Sequence, residues 1–239
     1  MSRGGFRDLH ALFARVLAQT ARTPWLFGRL VEGVFDLFET NIAAQTGHLP
    51  PLACEKGCPS CCILRVTATA PEIFLLAAYV QRIEAAPAGA AIGLGRRIAL
   101  ADRATRGLGE TGRMRLRKPC PFLMRGVCIV HPVRPLACRG HASFDRQACV
   151  RAAAGRDVEV PLSEPHVALR GLLQASLQSA LRATGLAWGL YEMNHALTLA
   201  LDGKARDAAW LAGEDSLAPA AIDFDRVAAA ERFDALLAT

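Results

Sequence analysis

The stretch Trp25–Thr46, WLFGRLVEGVFDLFETNIAAQT, decides the fold class. Its apolar residues Leu26, Phe27, Leu30, Val31, Val34, Phe35, Phe38 and Ile42 recur every three or four positions. That spacing makes one broad stripe, as on a helix with a single face turned to a core. Thr23 before Pro24 reads as an N-cap and first turn, and Gly47 with the Pro50-Pro51 pair closes the helix. Working outward, Phe6, Leu9, Phe13, Val16 and Leu17 give residues 6–20 the same periodicity. On the other side, a short β-branched run over 63–69 reads as extended, and Thr69-Ala-Pro-Glu72 fits a capped helix start, predicting a helix over about 71–85. Residues 92–108 are amphipathic and lead into a basic loop. Ser163-Glu-Pro opens a long helix carrying Leu169, Leu172, Leu173, Leu177, Ala180 and Leu181, which Gly185 ends. Another helix is expected over 188–201, with short helices in the acidic tail.

The expectation is a mainly α protein, a single domain over 1–239, in which a cysteine-rich region at 53–150 is framed by N-terminal helices within 6–46 and C-terminal helices within 163–236. Composition agrees: 52% of the 239 residues are hydrophobic but only 6% aromatic, a mix rich in helix formers. A chain of this length can bury a core without covalent staples. No run of about 18 apolar residues occurs, so no membrane helix is predicted. Arg3, Arg7, Asp8 and Arg15 interrupt the first turns, which argues against a secretory signal and for a cytoplasmic protein.

The net charge of +6 is uneven. Residues 96–118 hold Arg96, Arg97, Arg103, Arg106, Arg113, Arg115, Arg117 and Lys118 against Asp102 and Glu110, whereas 214–234 is acidic. Such a segment can meet RNA or an acidic protein partner. With no aromatic residue interleaved for base stacking, a solvated helix face and loop is the preferred reading.

The other informative stretch is CEKGCPSCC, which holds Cys54, Cys58, Cys61 and Cys62. Cys120, Cys128, Cys138 and Cys149 complete the eight, and the flanking helices have none. Core filler would scatter along the apolar stripes, but these thiols sit beside Gly57, Pro59, Pro119, Pro121, Gly126 and Pro135. Disulfides suit an exported chain, and adjacent cysteines such as Cys61 and Cys62 pair only with strain. Thiolates two or three residues apart across a turn can converge on zinc or an iron–sulfur cluster. CPFLMRGVC places Cys120 and Cys128 on either side of Arg125-Gly126, where a turn would bring them together like the arms of a hairpin. Lys118, Arg65, Arg134 and Arg139 stand ready to offset thiolate charge.

Taken in order, Cys54-x3-Cys58-x2-Cys61-Cys62, Cys120-Pro-Phe-Leu, Cys128-Ile-Val and Arg134-Pro-Leu-Ala-Cys138-Arg139 resemble the bacterial YkgJ-like cysteine-cluster proteins, described as zinc- or iron-chelating. The resemblance spans residues 53–149 and includes Pro71-Glu72 at the start of the following helix. This chain has His131 where the family often has Tyr, and x3 where many members have x2. The resemblance implies a metal site without an established reaction: an iron–sulfur cluster, for instance of the 4Fe–4S type, or Zn2+, with ligands drawn from Cys54, Cys58, Cys61, Cys62, Cys120, Cys128, Cys138 and Cys149. Larger relatives include flagellin lysine methylases, so the alternatives are a cluster-dependent oxidoreductase, a methylase-like enzyme, or a metal-stabilised RNA- or protein-binding module using 96–118.

His131 and His141 lie among the cysteines and read as supporting groups. His10, His48, His166 and His195 show no partner pattern. Cys138 beside Arg139 and near His141 could be a reactive thiolate, but an arginine neutralising a ligand explains it better. Gly93-Leu-Gly95 lacks the third glycine of a dinucleotide fingerprint, and no phosphate-binding GxxxxGK, HExxH or GxSxG motif is present.

Overall fold

The 22-residue helix read from the opening stretch forms as its periodicity requires. In the computed structural model, which describes residues 3–20 and 22–238, all eight stripe residues from Leu26 to Ile42 are buried. In chain order the elements are α1 (Arg3–Gln19), α2 (Trp25–Thr46), β1 (Thr67–Ala68), α3 (Ala70–Glu84), α4 (Pro87–Ala90), α5 (Leu94–Thr105), α6 (Glu110–Leu116), β2 (Leu123–Met124) and β3 (Val127–Cys128). Then follow α7 (Leu136–Arg139), α8 (Arg146–Ala153), α9 (Glu164–Ala183), β4 (Tyr191–Glu192), α10 (Met193–Ala200), α11 (Arg206–Leu211) and α12 (Arg226–Leu237). The protein is thus mainly helical. No described helix is long and apolar enough to cross a membrane.

Helices α1 and α2 both pack on α9, α2 also packs on α3, and α10 lies against α3 and α5. The resulting core runs from Phe13 to Ala220. Phe27 of α2, Phe74 of α3 and Trp210 of α11 meet with ring centroids 5.0 to 6.0 Å apart, and Trp210 is fully buried. A smaller cluster of Phe6, Ala229 and Phe233 fastens α12 to α1.

Four local expectations change. Pro24, not Thr23, caps α2; Leu26 N donates to Thr23 O at 2.9 Å, so the turn is closed by backbone alone. The basic loop after α5 is largely a helix, α6, whose Arg113 faces inward at 3% exposure. Residues 63–69 are extended only in part: Ser60–Ile63 is a 3-10 turn and Thr67–Ala68 the strand. The helix expected over 188–201 starts only at Met193, because the residues before it pair with a distant strand. Thr67 and Ala68 of β1 oppose Glu192 and Tyr191 of β4 in an antiparallel pair, and Met193 N donates to Val66 O at 3.0 Å. That pairing joins chain segments far apart in sequence and overrides local periodicity.

Candidate metal centre

Both cysteine segments fold back sharply and touch. In the first, Gly57 takes φ 94°, Cys58 N donates to Glu55 O at 3.1 Å, and the 3-10 turn follows at Ser60–Ile63 with Cys61 and Cys62 on it. In the second, β2 and β3 form the expected hairpin, Leu123 opposite Cys128. Arg125 and Gly126 at its tip have φ of 49° and 80°, as a two-residue primed turn demands. The segments are sewn together by Cys120 N donating to Cys62 O at 2.7 Å. A Cβ on Gly126 would stand 3.4 Å from Gly57 O, so the hairpin tip lies against the first turn backbone to backbone.

The remaining cysteines arrive on helices rather than loops. Cys138 sits on the one-turn α7, and Cys149 on α8, which packs against the 3-10 turn. Asp145 caps α8 by accepting from Ala148 N at 2.9 Å. Just before it, Ser143 O accepts from Ala53 N at 2.9 Å, and Ser143 N donates to Cys54 Sγ at 3.4 Å. Arg146 of α8 pairs with Glu55.

All eight thiols are free. Cys120, Cys128 and Cys138 are the inner ones, and Cys61 acts on each of them as well as on Cys54. The Cys61 thiol is pushed up by its hydrogen bond with Cys62 and by burial. Burial raises Cys120 to about 11, with Cys128 and Cys61 adding to the shift. Cys128 is raised by burial and by Cys61. Cys138 is raised by burial and then by Cys120, Cys61 and Cys128, with Arg134 opposing. Cys54 is exposed but still raised by desolvation and by Cys61, Cys149 and Cys58. A reactive Cys138 thiolate is therefore not supported, because burial favours its neutral form.

Of the cations expected to offset thiolate charge, Arg134 acts on Cys61, Cys128 and Cys138, whereas Arg139 and Lys118 are placed otherwise. Arg139 braces the chain: its guanidinium reaches Glu39 at 2.6 Å, Pro132 O at 2.7 Å and Arg134 O at 3.0 Å, and stacks 3.9 Å above the Phe35 ring. Lys118 is exposed. Among the described residues, Arg65, Arg113, Arg134 and Arg170 hold buried side-chain N–H groups with no acceptor. Arg113 Nη2 donates to Leu64 O at 3.1 Å, but its Nε and Nη1 are buried without an acceptor, as are the Nε atoms of Arg65 and Arg134. Arg113 acts electrostatically on Cys120, and Arg134 on Cys61, Cys128 and Cys138. His131 and His141 are both held toward the neutral form, by burial first and by neighbouring arginines second.

Among the described residues, no group of three or more His, Cys, Asp or Glu side chains is disposed to hold a metal ion. The inner thiols are neighbours rather than a finished cage. Thiols with cationic N–H groups beside them are the donor chemistry that a sulfur-bound metal would use.

Two supports escaped the sequence. Glu72, 1% exposed, accepts from Thr69 N as the capping box predicted, but it also accepts from Leu136 N at 2.8 Å and so fixes the turn leading to Cys138. His195 is not solitary: its Nδ1 lies 3.2 Å from Asp102 Oδ2, and Asp102 also binds Arg106. No local signal could reveal either, since the partners are 64 and 93 residues apart.

Fold and site together define a mainly α protein in which helices hold two mutually bonded cysteine segments. Compared with known proteins, the chain matches no protein family, no curated sequence and no solved structure.

Proposed function

We propose that this is a metal–thiolate protein of the YkgJ-like cysteine-cluster type, carrying an iron–sulfur cluster on Cys61, Cys120, Cys128 and Cys138. The observation that carries the reading is a mismatch of charge. Cys120 and Cys138 are kept neutral chiefly by burial and Cys61 first by its hydrogen bond with Cys62, while Arg113 and Arg134 hold buried N–H groups with nothing to donate to. An unpaired buried donor costs about 1–3 kcal/mol, more when charged. Four thiolates on a dication, or on an oxidised four-iron cluster, carry a net charge of about −2 and would resolve both sides at once. The arginine N–H groups would then hydrogen-bond sulfur and hold the ligands in place. When bound, a cluster supplies cross-linking of the two segments and one-electron transfer. Cys54, Cys58, Cys62 and Cys149 are the reserve for a second ion.

The test is metal analysis, acid-labile sulfide assay and visible spectroscopy on protein purified with and without air. Iron with sulfide and a broad visible band is the expected result. Stoichiometric zinc would substitute a zinc centre on the same thiols. If neither metal is present under either condition and all eight thiols titrate with a thiol reagent, the proposal fails.

A further inference from the structure

The contact between α5 and α10 holds an imidazole that the metal reading does not use. His195 stands in the first turn of α10, its backbone N–H donating to Glu192 Oε2 at 2.8 Å. Its Nδ1 lies 3.2 Å from Oδ2 of Asp102, a carboxylate with 1% of its side chain exposed. Arg106 closes on the same carboxylate, Nε donating to Oδ1 at 3.1 Å and Nη2 to Oδ2. The hydrogen bonds from Arg106 and His195 outweigh burial and hold Asp102 below its usual range, so near neutrality it is ionised and accepts only. The ring proton therefore belongs on Nδ1, and the lone pair stands on Nε2. Nε2 has no hydrogen-bond partner among the described residues, yet it is not a buried atom, and the side chain keeps 12% of its surface exposed. A carboxylate thus orients the ring from inside and leaves its basic nitrogen within reach of solvent.

Two neighbouring hydroxyls are engaged elsewhere: Thr105 Oγ1 donates to Ala101 O at 2.8 Å and Thr198 Oγ1 to Asn194 O at 3.0 Å. With no hydroxyl or thiol bonded to Nε2 for the ring to activate, the nitrogen is itself the nucleophile. Arg106 is fixed beside it by its two bonds to Asp102, which leave Nη1 free for an anion. We propose that His195 Nε2 accepts a phosphoryl group from an activated donor of the phosphoramidate or acyl-phosphate class. The Nε2 lone pair forms the new N–P bond as the donor's bond to phosphorus breaks, and that electron pair leaves with the amine or the carboxylate. Nδ1 keeps its proton, the ring becomes cationic, and the Asp102 carboxylate faces the new charge. Arg106 Nη1 meets the phosphoryl oxygens. A neutral acyl electrophile would leave that guanidinium unused, and a metal cation would meet it as a like charge.

The experiment treats the full-length protein with phosphoramidate and, separately, with acetyl phosphate, and follows labelling by intact mass, phosphorus NMR and fragmentation. One acid-labile, alkali-stable phosphoryl group per chain is expected, on His195. The chain carries its own reference in His48, which is exposed and takes part in no ion pair among the described residues. His195 should label faster than His48 although it is less exposed. His195→Ala should abolish the label, Asp102→Asn should slow it about tenfold or more by releasing the tautomer, and Arg106→Gln should slow it about threefold. If Asp102→Asn does not fold, the comparison of His195 with His48 in the wild type decides. The proposal is overturned if neither donor labels the protein, if His48 labels as fast as His195, or if a folded Asp102→Asn labels at the wild-type rate.

Discussion

Glu72 carries more of the architecture than its place in a helix cap suggests. Its carboxylate accepts from Thr69 N, Thr69 Oγ1 and Leu136 N, each at 2.8 Å, and so locks the start of α3 to the turn that presents Cys138. Glu72→Ala would strand two buried backbone donors, a loss of about 2–5 kcal/mol by urea unfolding. Glu72→Gln keeps an acceptor toward Leu136 N and should lose less. Burial pushes the Glu72 carboxyl above its ordinary range, although the hydrogen bonds from Leu136 and Thr69 pull the other way. A folded pKa above the unfolded one favours the protonated group in the fold. The Glu72 contribution is therefore full below the unfolded value and is lost as pH rises through the folded one. The difference in stability between wild type and Glu72→Gln should change in that direction; a difference independent of pH would show that the carboxyl titrates alike in both states.

Among the elements, α5 and α10 are joined by the opposite kind of acid. Burial alone would raise Asp102, but hydrogen bonds from Arg106 and His195 outweigh it and hold the carboxyl below its usual value. A depressed folded pKa gives stability that is present above the unfolded value of about 3.9 and disappears as pH falls through the folded one. Asp102→Asn should be about 1–3 kcal/mol less stable than wild type near neutrality, and the gap should close in acid, as thermal unfolding from pH 7 downward would record. The hairpin β2–β3 makes a conformational prediction. Gly126→Ala places a side chain at φ 80° and 3.4 Å from Gly57 O, which should cost about 1–2 kcal/mol and speed hydrogen exchange at Cys62 and Cys120. Elements of this kind were legible in the sequence when their cause was local: the α2 stripe, the Thr69–Glu72 cap and the turn at Arg125-Gly126 all rest on neighbouring residues. The pairing of β1 with β4, the inward turn of Arg113 and the Asp102–His195 contact depend on partners far along the chain, which no local pattern encodes.

At the scale of the whole molecule, the frame and the cysteine pool lean on each other unequally. The buried core is drawn chiefly from α2, α3 and α9, and the cysteine segments lend it Phe122, Val130, Val133 and Leu136. The order and crowding of the thiols could be read from the sequence, and the backbones of the two segments meet at the Cys120–Cys62 hydrogen bond. This inequality fixes what losing two of the thiols should do. In a Cys61→Ser, Cys138→Ser double variant, the helical frame keeps its apolar contacts, so far-ultraviolet circular dichroism should stay close to that of wild type. Hydrogen exchange over residues 53–63 and 119–139 should accelerate, because those backbones rely on a few cross-links such as the Cys120–Cys62 hydrogen bond rather than on regular ladders. Cooperative loss of helix in that variant would mean instead that the sulfur centre holds the helices together, and that the core described by Phe27, Phe74 and Trp210 does not stand without it.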